Sequence, residues 1–130
     1  MRFLLGVGVV AGFAASAAVP VSVSAGSAAV VDPVRAQAIV RGNACLGCHA
    51  VDRRVVGPSF QQIAAKYKGD AGAEARLIRK VKDGGSEVWG AIPMPSHPAM
   101  NDADIRTVVD WVLAGAPASV AAASAAGAGK

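Results

Sequence analysis

The segment Cys45-Leu46-Gly47-Cys48-His49 holds the residues best suited to chemistry, and it contains both cysteines of the 130-residue chain. Two thiols at this spacing can add to the two vinyl groups on one edge of a porphyrin, and the adjacent imidazole then lies beneath the iron as its proximal ligand. Gly47 lets the backbone run close to the haem edge. Three other chemistries use similar pieces. A redox dithiol of the thioredoxin kind sits after a strand in a βαβ pattern, and no such pattern surrounds Cys45. A structural zinc ion wants four ligands, and beyond these three only His97 is on offer. A plain disulfide would leave His49 without a role and would close a short, strained loop. Covalent attachment of one haem c, through Cys45 and Cys48 with His49 on the iron, accounts for all three residues.

A low-spin haem needs a second axial ligand, and the Pro- and Gly-rich stretch from Ser86 to Met100 offers candidates. Met94 stands between Pro93 and Pro95. Prolines fix the backbone, so little entropy is lost in presenting the thioether. Met94 is therefore the expected sixth ligand rather than gap-filling core. Two rivals share the loop. Met100 precedes a helix N-cap, where packing on Ile105 as a hydrophobic staple suits it better. His97 would give bis-histidine ligation, but it lies three residues past the proline-clamped position.

The elements that must position these groups read as helices. Asp32-Pro33 is an N-cap followed by proline at the first helical position, and the helix should run to about Gly42-Asn43 with Val34, Ala38 and Ile39 inward. A loop from Ala50 to Pro58 leads to a short helix around residues 60–67, with Phe60, Ile63 and Ala64 apolar and Gly69 as its stop. A third helix is expected from about Ala71 to Asp83 with Leu77, Ile78 and Val81 as its apolar stripe, ended by Gly84-Gly85. The last begins with Asn101 as N-cap and Asp104 as a weaker capping-box partner. It buries Ile105, Val108, Val109 and Val112 and stops at Gly115. No segment alternates like a strand. The predicted fold is all-α, about four helices wrapped around one covalently bound haem.

Composition supplies the address. Arg2 followed by an apolar run from Phe3 to about Val23, then Val23-Ser24-Ala25, has the form of an export signal cut after Ala25. An uncleaved anchor is the alternative, although Pro20 and many small residues make that run a poor spanning helix. Cleavage removes one of the 13 Lys and Arg and none of the 9 Asp and Glu, so the formal charge falls from +4 to +3. That is too mild to indicate nucleic-acid binding. The expected division is a signal peptide at 1–25, a short segment at 26–31, a haem domain at 32–115 and an Ala-rich tail at 116–130. The tail has no large apolar side chain beyond Val120 and is expected to be disordered. A domain of this size often needs a staple, and a covalent haem would serve as one.

The order of helix, Cys-x-x-Cys-His, Gly57-Pro58-Ser59-Phe60, Val88-Trp89-Gly90 and Ile92-Pro93-Met94-Pro95 resembles the short bacterial class I cytochromes c, in particular the cytochrome c-551 type. The resemblance covers about Asp32 to Leu113. It implies a periplasmic one-electron carrier that is not an enzyme. It is likewise expected to be monomeric, without permanent membrane attachment, and to serve redox proteins of a respiratory chain such as a terminal oxidase or nitrite reductase. It also implies that the Pro58 carbonyl accepts from the Nδ1–H of His49, that the Trp89 indole donates to a haem propionate, and that Lys80 is a nearby charge partner. Arg76, Arg79, Lys80 and Lys82, with Lys66, Lys68, Arg53 and Arg54, are candidates for steering acidic partners. Ala44 departs from the family, which often has glycine before the first cysteine.

Overall fold

A computed structural model describes residues 31–118. The expected signal segment and the tail from residue 119 lie outside the described residues. Four helices follow in order: α1 (Pro33–Gly42), α2 (Phe60–Lys66), α3 (Ala73–Asp83) and α4 (Asp102–Leu113), with a single 3-10 turn at Cys45–Gly47 between the first two. Among the described residues the only β-type pairings are two isolated bridges, His49 with Arg54 and Gly85 with Met94. The all-α expectation holds, and among the described residues no helix is long and apolar enough to cross a membrane.

Local chemistry sets the helix starts. The Asp32 carboxylate accepts from the Arg35 amide at 3.0 Å, with Pro33 at the first helical position. At α2, Ser59 Oγ accepts from the Gln62 amide at 3.0 Å while Gln62 Oε1 accepts from the Ser59 amide at 2.9 Å. This reciprocal pair lets a fully buried serine satisfy its polar groups. At α4, Asn101 Oδ1 accepts from the Asp104 amide at 2.8 Å, and the Asp104 carboxylate takes the Asn101 side-chain amide instead of its backbone N–H. Met100 is buried against Ile105 and Val109, the staple geometry. Asp70 turns the chain ahead of α3 by accepting from Gly72 N at 2.9 Å, so that helix starts two residues later than Ala71.

Helix α4 packs against each of the other three. One core group joins Ala36 and Val40 of α1, Phe60 of α2, and Val108, Trp111 and Val112 of α4. A second joins Met100, Ile105 and Val109, with Leu77, Ile78 and Val81 of α3 packed on it. Two expectations are corrected here. The inward face of α1 is Ala36 and Val40 with Ile39 beside them, whereas Val34 is 58% exposed and Ala38 faces out. With apolar residues at five of seven positions from Val34 to Val40, the sequence has little contrast between faces, and packing on α4 chooses one. The folded chain also passes Gly115: Ala116 is buried in the first core group, its amide donates to Trp111 O at 2.9 Å, and Trp111 Nε1 donates to the Pro117 carbonyl at 2.9 Å.

Candidate functional site

Everything around His49 follows from one tight turn. Ala44 adopts a left-handed conformation, φ 57°, which turns the chain from α1 into the 3-10 turn carrying Cys45. The His49 amide then donates to Cys45 O at 3.0 Å, and Cys48 O accepts from Val56 at 3.2 Å and Gly57 at 2.8 Å. The second contact folds residues 50–57 back beside the histidine. His49 Nδ1 lies 2.6 Å from the Pro58 carbonyl oxygen. A carbonyl only accepts, so Nδ1 carries the proton and the neutral ring keeps its lone pair on Nε2, the atom a metal would take.

Two further groups fix the ring plane. Phe60 stacks on the imidazole with centroids 5.5 Å apart and 19° between planes, and Trp111 meets Phe60 edge-on at 5.3 Å. The backbone of Gly57 approaches so closely that a Cβ there would sit 2.6 Å from His49 Cε1. Only glycine fits beside this ring.

Cys45, Cys48 and His49 line one side of a cavity of about 260 Å³. Phe60, Ile63, Leu77, Val81, Val108, Val109 and Val112 make its interior apolar, and Met94, Pro93, Ile92 and Trp89 bring the loop after α3 to the same space. Cys45 Sγ is half-buried and points its S–H toward Asn43 O at 3.8 Å, and burial pushes its thiol up from its ordinary value, with a backbone hydrogen bond opposing. An apolar cavity lined by two thiols and one lone-pair nitrogen from a single five-residue segment fits a haem bound along one edge. Among the described residues no group of three or more His, Cys, Asp or Glu is gathered as an ion bound by those residues alone would require.

Of the loop candidates, Met94 and Met100 both reach the cavity wall, but Met100 is committed to the core beneath α4. His97 does not line the cavity; its amide donates to the Val81 and Lys82 carbonyls at 3.1 and 3.2 Å, closing the end of α3. Trp89 and Lys80 both line the cavity, as their expected roles require. Trp89 is also clasped from outside: the Lys66 ammonium lies 5.2 Å from its ring centroid and Arg54 donates to its carbonyl at 2.9 Å. Several of the cations considered for steering therefore have local partners. Arg76 pairs with Asp70, and Lys82 bonds the Met100 carbonyl at 2.7 Å and Asp102 at 3.1 Å.

Gly57, Phe60 and Trp111 support the histidine without having been assigned that task from sequence. Trp111 lay within reach, because a tryptophan three residues from Val108 falls on the buried face of α4.

The family described as Cytochrome c matches residues 33–116. Cytochrome c-551 of Pseudomonas aeruginosa is 43% identical over 77 residues, covering 59% of this chain and 73% of that protein. Cytochrome c-551 of Azotobacter vinelandii is 49% identical over 69 residues, 53% of this chain and 83% of the relative. The crystal structure of wild-type Nitrosomonas europaea cytochrome c552 superposes with a TM-score of 0.59 at 42% identity, covering 61% of this chain and 98% of that one.

Proposed function

Because this chain belongs to the cytochrome c family, as a class I electron carrier of the c-551 type with one covalently bound haem c, we propose that it works in the periplasm with its iron held between His49 and Met94. Cys45 and Cys48 hold the porphyrin edge as thioethers. The single observation that carries the assignment is the wall of Cys45, Cys48 and the Pro58-fixed His49 on the same apolar cavity that Met94 enters from the other loop.

Bound in this cavity, the haem supplies one-electron chemistry between ferric and ferrous iron. Each protein group has a task in that exchange. Pro58 holds the His49 ring by its Nδ1–H, which fixes the ring's orientation and raises the basicity of Nε2. The thioether of Met94 is a soft ligand that favours the ferrous state. The aliphatic wall from Ile63 to Val112 keeps water away, which disfavours the extra positive charge of the ferric state and raises the potential. Trp89, on the cavity wall, would donate its indole N–H to a haem propionate, and Lys80 would offset the charge there. With His49 and Met94 both holding the iron, the chain would leave no open site for gas binding or peroxide chemistry.

Val56, Val88 and Ile92 line the cavity and are also exposed, giving its mouth an apolar centre, and Arg54, Lys66 and Lys80 stand close by. Such a patch suits brief docking to an acidic respiratory partner, such as a terminal oxidase or nitrite reductase, through a small interface.

Substitution of the sixth ligand tests the assignment. A methionine–iron bond gives a weak charge-transfer band at the red end of the ferric spectrum. Met94→Ala should remove the band, admit CO to the ferrous iron and lower the potential, while His97→Ala and Met100→Ala leave the band in place. A six-coordinate low-spin spectrum that survives Met94→Ala and is lost in His97→Ala would establish bis-histidine ligation instead.

A further inference from the structure

Gly84 and Gly85 read in the sequence as nothing more than the stop of α3, yet both are built into the support of residue 94. The amide of Gly85 donates to Met94 O at 3.0 Å, and the amide of Met94 donates to Gly85 O at 3.0 Å. Both backbone groups of Met94 are thus spent on one residue, and the two form an isolated antiparallel bridge. One step earlier, the chain lies directly on Gly84. A Cβ built at that position would sit 2.5 Å from Met94 O, 2.8 Å from Ser96 N and 2.9 Å from Pro95 C. These are backbone atoms and cannot swing aside as a side-chain tip would. Gly84 has φ 71° and ψ −151°, and Gly85 has φ 111°, conformations open in practice to glycine alone.

With Met94 taken as the iron ligand, as proposed above, we propose that Gly84 and Gly85 are positioning residues for it. Gly84 sets how closely the methionine loop lies on the end of α3, and Gly85 sets the height and direction of the Met94 backbone by the paired hydrogen bonds. The prolines on either side stiffen the loop, while the paired hydrogen bonds and the contact on Gly84 fix where the Met94 backbone lies. Location comes from the glycine pair, so displacement of this pair is transmitted to the sulfur. The bond it would weaken competes with any added ligand for iron, and the apparent affinity of that ligand scales with the fraction of molecules whose methionine is off.

Imidazole binding to the ferric holoprotein, followed with the charge-transfer band and the melting temperature, tests this in Gly84→Ala, Gly85→Ala, Gly69→Ala and Met94→Ala. Gly69 is the control for backbone strain: its φ is 78°, close to that of Gly84, but a Cβ there meets nothing within 4 Å. Gly84→Ala should bind imidazole about tenfold or more tightly than the parent and lose band intensity, with Gly85→Ala shifted the same way. Gly69→Ala should melt earlier with imidazole affinity within about twofold of the parent. If Gly84→Ala behaves like Gly69→Ala while Met94→Ala binds imidazole far more tightly, the pair is only a helix stop and the proposal falls. If Met94→Ala leaves the affinity unchanged, the ligand assignment itself has failed. Should Gly84→Ala not accumulate as holoprotein, Gly85→Ala decides by the same criterion.

Discussion

The two walls of the cavity are held by different means. On the histidine side the support is packing: Pro58, Ser59 and Phe60 are buried, the imidazole is stacked on Phe60, and Trp111 backs that ring at 1% exposure. On the methionine side Ile92 is 70% exposed, Met94 itself is held by two backbone hydrogen bonds to Gly85, and its carbonyl lies on Gly84. The rest of the loop is tied by polar bonds such as those of His97 to the end of α3 and Arg54 to the Trp89 carbonyl. Interior packing resists displacement because any shift opens a void or a clash. A loop fastened by a few backbone bonds opens at far lower free energy. Ligand exchange, where it occurs, should therefore begin with the methionine and leave the histidine in place.

Truncating one apolar side chain on each wall gives the largest contrast. Phe60→Ala removes the ring between His49 and Trp111 and should destabilise the holoprotein by about 3–5 kcal/mol in denaturant melts. Ile92→Ala, at the exposed mouth of the cavity, should cost well under half as much. Equal losses would abolish the distinction.

Gly57→Ala sharpens it. The added methyl pushes against His49 Cε1, and the ring must tilt or residues 57–58 must shift, at about 1–3 kcal/mol. The redox potential should move through the altered imidazole while the methionine charge-transfer band stays. Loss of the band in Gly57→Ala would mean that the two walls move together.

The smallest effect is expected where the histidine side carries strain. Ala44 is exposed and left-handed, so Ala44→Gly should raise stability by about 0.5–1 kcal/mol, read as a higher denaturant midpoint with the spectrum unchanged. A lower midpoint would show that the alanine methyl packs usefully in the turn.

Much of this arrangement was legible in the residues themselves. The attachment motif is read easily because thioether and imidazole chemistry fix its spacing within five residues. Asp32-Pro33 and Asn101 announce helix starts for equally local reasons, and the Ser59–Gln62 box rests on the same chemistry. What the sequence hid is tertiary. Nothing near Gly57 or Gly84 in the chain says that a histidine ring or a methionine carbonyl will lie against it. The phase of α1 was misjudged because Val34, Ala38 and Val40 offer nearly equal apolar faces until α4 covers one. Burial of Trp111 depends on an acceptor for its indole N–H, and that acceptor, the Pro117 carbonyl, lies beyond the expected end of the domain.

That last bond bears on where the chain can be cut. A fragment ended at Gly115 would strip Ala116 from the core and leave the Trp111 N–H without its acceptor, a penalty of about 1–3 kcal/mol for a buried donor. The indole is also the outer support of Phe60, so the damage would pass inward to the histidine. The minimal unit able to hold its cofactor squarely thus extends through Pro117. A fusion partner or affinity tag joined at the C-terminal side belongs after Ala118, where the closing turn is already complete.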